Sequence, residues 1–119
     1  MSPTPQASTR QRAYDRVVDA FARTRGVTQE QKRGFGSGAL KVNGRIFAML
    51  TPNGDFVVKL PKVRVDELIA YGDGERFEPG PGRVMKEWLV FAGPTTGWVD
   101  LAREACAFVN RTSAQRRKV

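Results

Sequence analysis

Val42-Asn43-Gly44-Arg45-Ile46-Phe47-Ala48-Met49-Leu50-Thr51-Pro52-Asn53-Gly54-Asp55-Phe56-Val57-Val58-Lys59-Leu60 sets two Asn-Gly dipeptides between short apolar runs, and its reading decides the fold. Asn-Gly accepts positive φ at both central positions of a type I′ turn, whose twist matches that of the strands it joins. Strands are therefore expected at about 39–42, 45–50 and 55–60, linked as consecutive antiparallel hairpins. Thr51-Pro52 precedes the second Asn-Gly, so that loop is the longer one.

Outward from this unit the apolar period changes to that of a helix. Tyr14, Val17, Val18, Phe21 and Ala22 recur at i, i+3, i+4, i+7 and i+8, which writes one face of an amphipathic helix that Gly26 stops. Residues 27–33 are polar and read as a loop or a further helical turn. On the other side, Pro61 ends the third strand, and Val65, Leu68 and Ile69 form a short helical stripe closed by Gly72. A glycine- and proline-rich passage, 72–82, carries Phe77 on a short edge strand, and 84–91 is the longest apolar strand candidate. Gly93-Pro94 breaks it, Thr96 is placed to cap, and Trp98, Leu101, Ala102, Ala105, Phe108 and Val109 complete a third helix. The order helix–three strands–helix–two strands–helix is that of an α+β protein, a two-layer α/β sandwich with a mostly antiparallel sheet. The expected organisation is a disordered basic tail over 1–12, one domain over 13–110 and a basic tail over 111–119.

A chain of 119 residues builds one modest core. No apolar run approaches the roughly 20 residues that span a bilayer. The start of the chain is polar, with no apolar segment of a secretory signal. The lone Cys106 has no partner for an internal disulfide, so the cytoplasm is the expected compartment. The net charge of +8 is unevenly spread: residues 34–110 are neutral, and the excess lies in the first 33 residues and the last nine. Such ends attract phosphate without reading sequence, or serve as solvated tails.

Three segments carry a family likeness. Gly34-Phe35-Gly36-Ser37, then Val42-Asn43-Gly44-Arg45-Ile46-Phe47-Ala48, then Gly82-Arg83-Val84-Met85-Lys86-Glu87-Trp88, resemble the Met-Phe-Gly-Gly start, the Gly-Lys-Met/Ile-Phe-Ala strand and the Gly-Arg-Pro-Met-Lys-x-Trp strand of the N-terminal domain of TfoX/Sxy competence regulators. The likeness runs from about Tyr14 to Val109, with Gly34, Ser37, Val84 and Glu87 departing from the pattern. It implies a secretion-chaperone-like α/β sandwich, similar also to YjbR/MmcQ domains, and a DNA-binding or protein-interaction module with no established catalytic residues.

The residues themselves point away from catalysis. The chain has no histidine, which removes Ser-His and Cys-His chemistry. Gly34-Phe35-Gly36-Ser37-Gly38 looks like a phosphate cradle but leads into a strand, whereas a P-loop opens a helix. Cys106 lies beside an apolar stripe and reads as a packed residue. Glu75 with Glu78, and Asp66 with Glu67, sit among glycine, proline and lysine, in solvated surroundings. No enzyme activity, cofactor or metal is expected.

Strand alternation instead exposes a second apolar face. One parity puts Ile46, Ala48, Leu50, Phe56, Val58 and Leu60 toward the helices; the other gives Phe47, Met49, Val57 and Lys59, joined by Lys86 and Trp88. Helices in one layer cover only one face. The leading expectation is a non-enzymatic module that binds a protein partner or a second copy through Phe47, Met49 and Trp88, with Lys59, Arg83 and Lys86 selecting an acidic partner. The alternative is a nucleic-acid-binding regulatory protein using Arg10, Arg12, Arg116, Arg117 and Lys118 at the basic ends. A small-molecule site beside 72–82 is a third reading.

Overall fold

The computed structural model of the chain describes residues 5–30, 38–78, 82 and 85–117, and the side chains of those lying between 9 and 112. Three α-helices and six strands follow in the order α1 (Pro5–Ala20), β1 (Val27–Gln29), β2 (Leu40–Val42), β3 (Arg45–Leu50), β4 (Phe56–Lys59), α2 (Lys62–Ala70), β5 (Gly74–Phe77), β6 (Met85–Phe91) and α3 (Trp98–Arg117). The strands form one antiparallel sheet, β1-β2-β3-β4-β6-β5. The protein is an α+β sandwich.

Both hairpins follow from turn chemistry. Asn43 and Gly44 have φ of 54° and 81°, the two positive values a type I′ turn requires. In the second hairpin only Gly54 has positive φ, and Thr51 donates its backbone N–H to Asp55 across the longer Pro52-Asn53-Gly54 loop. At the other edge, β5 opens on Gly74, where an added Cβ would lie 2.3 Å from the Val90 carbonyl oxygen; only glycine lets β5 come this close to β6.

The helices share one face of the sheet. α3 lies over β2, β3 and β4, α2 over β5 and β6, and α1 packs beside α3. The core they enclose takes Tyr14, Val17 and Phe21 from α1, Val65 and Leu68 from α2, and Trp98, Leu101, Ala105 and Val109 from α3. The sheet contributes Leu40, Val42, Phe47, Ala48, Leu50, Phe56, Val58, Leu60, Leu89 and Phe91. Phe56 is the centre of this layer, stacked on Trp98 at 4.4 Å and met edge-on by Tyr14 at 6.2 Å. Buried aromatics of this kind contribute both area and ring–ring attraction.

Five expectations change, four of them outside β3. Residues 5–12 lie in α1 rather than a tail; Pro5 fits the first helical turn, where its missing N–H costs nothing. α3 likewise runs on to Arg117, beyond the expected boundary at 110, with the Thr112 hydroxyl donating to the carbonyls of Phe108 and Val109. The polar segment after Gly26 begins with a sixth strand, β1, whose register is fixed by Val27 opposite Val42. Thr96 caps nothing: Thr95–Gly97 is a single 3-10 turn with Pro94 before it and no side-chain cap.

The largest correction concerns β3. Its pairing with β2 slips, with Leu40 opposite Ala48 and Lys41 opposite Ile46, so Phe47 is the extra residue of a β-bulge. The bulge reverses the expected alternation at Ile46 and Phe47 and leaves it intact from Ala48 to Leu50. Phe47 turns into the core and meets Phe21 edge-on at 5.2 Å, while Ile46 shares the opposite face with Lys41. Phe47 is therefore a core residue and not a partner-binding one.

Candidate functional site

The face away from the helices is built by register. Met49 pairs with Val57, Val57 with Val90, and Val90 with Glu75, so these four residues form one row across β3, β4, β6 and β5. The neighbouring row pairs Lys59 with Trp88. Ile46, Met49, Val57, Trp88 and Val90 lie outside the core cluster between sheet and helices. Val57, flanked on both sides, is fully buried; Ile46, Met49, Trp88 and Val90 are half-buried. Among the described residues no helix packs on this side.

The two ends of the face differ in charge. At one end Lys59 Nζ lies 5.8 Å from the centroid of the Trp88 ring, within range of a cation–π contact. Lys59, Lys62, Met85, Lys86, Glu87 and Trp88 line a shallow hollow of about 490 Å³ there. Lys62 is engaged by Asp66 at 2.9 Å, whereas Lys59 and Lys86 have no ion pair among the described residues. At the other end a hollow of about 480 Å³ is lined by Pro52, Asp55, Glu75, Phe77, Glu78 and Val90, among others. Neither Asp55 nor Glu75 is ion-paired among the described residues. The face is thus apolar along the Met49–Val57–Val90 row, with Glu75 at the β5 edge of that row, Lys59 and Trp88 toward one end of the strands and Asp55 toward the other.

Of the residues expected to bind a partner, Met49, Lys59, Lys86 and Trp88 lie together on this face. Phe47 lies behind it in the core, and Arg83 lies outside the described residues. Ile46, Val90, Asp55 and Glu75 belong to the face and were missed. The bulge hid Ile46, and the acids became relevant only once β5 was placed beside β6.

Of the expected basic residues, Arg10 and Arg12 lie on α1 and Arg116 and Arg117 on α3. Arg10 turns inward: its guanidinium donates to the Gly54 carbonyl at 3.0 Å and sits 6.0 Å from the centroid of Trp98. It ties α1 to the second hairpin. Arg12 is exposed on α1. Arg116 and Arg117 lie in the last turn of α3, roughly 28 Å along that helix from Trp98 at 1.5 Å per residue. Their side chains, like Lys118, lie outside the described residues.

Tyr14, Cys106, Arg64 and Asp66 are shifted by burial or by pairing. Burial pushes the Tyr14 phenol well above its ordinary value, a backbone contact at Leu40 opposing it, and the hydroxyl donates to the Gly38 carbonyl at 2.8 Å. Burial also raises the Cys106 thiol, which favours the unreactive protonated form. Arg64 bridges α2 to α3 through Glu104 at 2.9 Å, and this hydrogen bond raises the guanidinium further. Asp66 is held below the usual carboxylate range by Lys62 first, and also accepts from Arg76. Among the described residues no three histidines, cysteines or acids gather as metal ligands, and no helix is long and apolar enough to cross a membrane. No family model, no curated protein and no solved structure matches the chain.

Proposed function

We propose that the chain is a non-enzymatic binding module that takes an acidic protein surface on the open face of its sheet. The observation that carries this reading is the row Met49–Val57–Val90, uncovered by any described helix and continued by Trp88 with Lys59 against its ring. A half-buried indole and flexible methionines give such a surface adaptable apolar anchors, and unpaired lysines at its rim select against basic partners. The likeness to TfoX N-terminal domains supports a regulatory setting for such a module, and the cytoplasm as its place.

Peptide display tests the reading directly, since it requires no named partner. Random peptides selected on the wild-type protein and counter-selected on Trp88→Ala should be enriched in acidic residues beside an apolar or aromatic one. Peptides that bind Trp88→Ala equally well would contradict it.

A second reading, nucleic-acid binding, rests on the net charge of +8 and the exposed Arg12. It expects a labelled DNA duplex to bind with steep salt dependence and little sequence preference. It comes second because Arg10 is already engaged by the Gly54 carbonyl.

A further inference from the structure

Arginines gather at the end of the molecule marked by the Asn43-Gly44 turn. Asn43 joins three segments there. Its backbone N–H donates to the Gly26 carbonyl at 3.0 Å, and its side-chain amide donates to Asn110 Oδ1 on α3 at 2.7 Å. Each segment carries an arginine beside the contact: Arg25 precedes Gly26, Arg45 follows Gly44, and Arg111 follows Asn110. Arg23 lies two residues before Arg25. Arg23, Arg25 and Arg111 are exposed and Arg45 is half-buried, and none of them has an ion pair among the described residues.

The charge is held in place and is little opposed. Thr24 N–H donates to the Phe21 carbonyl and Val27 N–H to the Thr24 carbonyl, which closes the turn carrying Arg23 and Arg25. Around Gly44 an added Cβ would meet nothing within 4 Å, so this turn stands clear for a large partner. Residues 20–29, 41–54 and 105–119 contain no acid. Of the acids that border them, Glu30 is held by Lys41 at 2.8 Å and Glu104 by Arg64 at 2.9 Å. Asp55 lies past the far end of β3, which leaves Asp19 in the last turn of α1 against the arginines.

The chemistry of the surface selects its partner. A guanidinium presents a planar fork that matches a phosphate with two parallel hydrogen bonds. No apolar anchor of the kind that protein interfaces need accompanies these arginines: Phe21 is buried, Phe108 packs against the core, and the exposed large apolar residues, Val63 and Tyr71, belong to α2 and its cap. With no exposed ring here among the described residues, unpaired bases have nothing to stack on, which favours a duplex over a single strand. α3 runs on for seven residues past Asn110, roughly 10 Å, through Arg116 to Arg117. A helix at the border of the surface fits the major groove of B-DNA, about 12 Å wide, and not the deep, narrow one of A-form RNA.

From these observations we infer that the Asn43 end of the molecule docks on the phosphate backbone of duplex DNA, through Arg23, Arg25, Arg45 and Arg111. The inference rests on the nucleic-acid reading above and gives it a surface apart from the open sheet face. Contacts of this kind fix position on the duplex and carry no sequence information, so binding is sequence-tolerant and set by salt.

Fluorescence anisotropy of a labelled duplex, titrated with the full chain between about 50 and about 200 mM salt, tests it. With four arginine–phosphate contacts, log K should fall against log salt with a slope of about −3.6, a loss of about 150-fold across that range. Arg25→Ala with Arg111→Ala should halve the slope to about −1.8. Arg25→Lys with Arg111→Lys should bring it back toward wild type, which a folding defect would not do. Arg12→Ala with Arg103→Ala removes the same charge from exposed positions elsewhere and should leave the slope as it is. If that control loses as much slope as the Arg25–Arg111 pair, DNA binds by another surface: the inference falls and the nucleic-acid reading stands. A wild type that does not bind at about 50 mM salt removes both. Tighter binding of an RNA duplex, or of a single strand of the same sequence, would overturn the choice of duplex DNA.

Discussion

The two faces of the sheet use the same residue types to different ends. On the helix side, Phe56, Leu89 and Val58 are fully buried against α1, α2 and α3, and the large side chains meet as ring pairs. On the other side Val57 is equally buried, yet its neighbours Met49, Val90 and Trp88 are only half-buried, and unpaired charges lie around them. Apolar character alone therefore does not separate core from interface. The difference lies in what closes over each face, and in the unpaired charge around the second.

Phe47 and Met49 offer the sharpest way to break this contrast, since they are two residues apart on one strand and lie on opposite faces. Phe47→Ala removes a ring packed on Phe21 and is expected to cost about 3–5 kcal/mol in urea unfolding. Met49→Ala should cost under about 1 kcal/mol, as surface substitutions do. Equal losses at the two positions would show that the bulge, and the division of faces it sets, is wrong.

A smaller effect is expected at Tyr14. Tyr14→Phe leaves the ring on Phe56 but removes the hydrogen bond to Gly38, costing about 1 kcal/mol. The phenol also gives pH dependence with a definite sign. Its folded value is raised, so its contribution is whole below the unfolded value near 10 and is lost as pH rises further. Stability of the wild type should fall above about pH 10 in denaturant titrations, and the Tyr14→Phe variant should lack this component of the fall.

Trp98 sharpens the comparison from inside the core. Its indole N–H is buried and meets no acceptor among the described residues, a costly state for a donor. Trp98→Phe loses packing area but removes that unsatisfied donor, so the net change should stay within about 1 kcal/mol. A loss as large as that of Phe47→Ala would mean that the N–H has a partner in solution. The smallest effect is expected at Lys59→Met, which removes a half-exposed cation–π contact with Trp88 and should shift stability by about 0.5 kcal/mol.

Much of the architecture was legible because it rests on local chemistry. Asn43-Gly44 dictates its turn, Pro61 and Gly72 bracket α2, and the stripe from Trp98 to Val109 has the period of a helix. What failed depended on partners distant in sequence. Arg45-Ile46-Phe47-Ala48-Met49-Leu50 has no polar residue after Arg45 to mark its phase, so nothing local reveals that Phe47 is the bulged residue. β1 is three residues long and takes its identity from β2. Arg10 reads as a free cation until the second hairpin is placed beneath it. For the candidate site, strand parity brought Met49, Lys59 and Trp88 together. Placing Glu75 at the edge of the Val57 row needed the order β4-β6-β5, which no local pattern specifies.

The most direct measurement pairs urea unfolding of Trp88→Ala with its binding to peptides selected on the wild type. The account predicts an unfolding free energy within about 1 kcal/mol of wild type and a loss of binding of about 2 kcal/mol or more, near thirtyfold, as for an interface anchor. A Trp88→Ala protein that unfolds as readily as Phe47→Ala would contradict it, because Trp88 would then be holding the fold together rather than facing a partner.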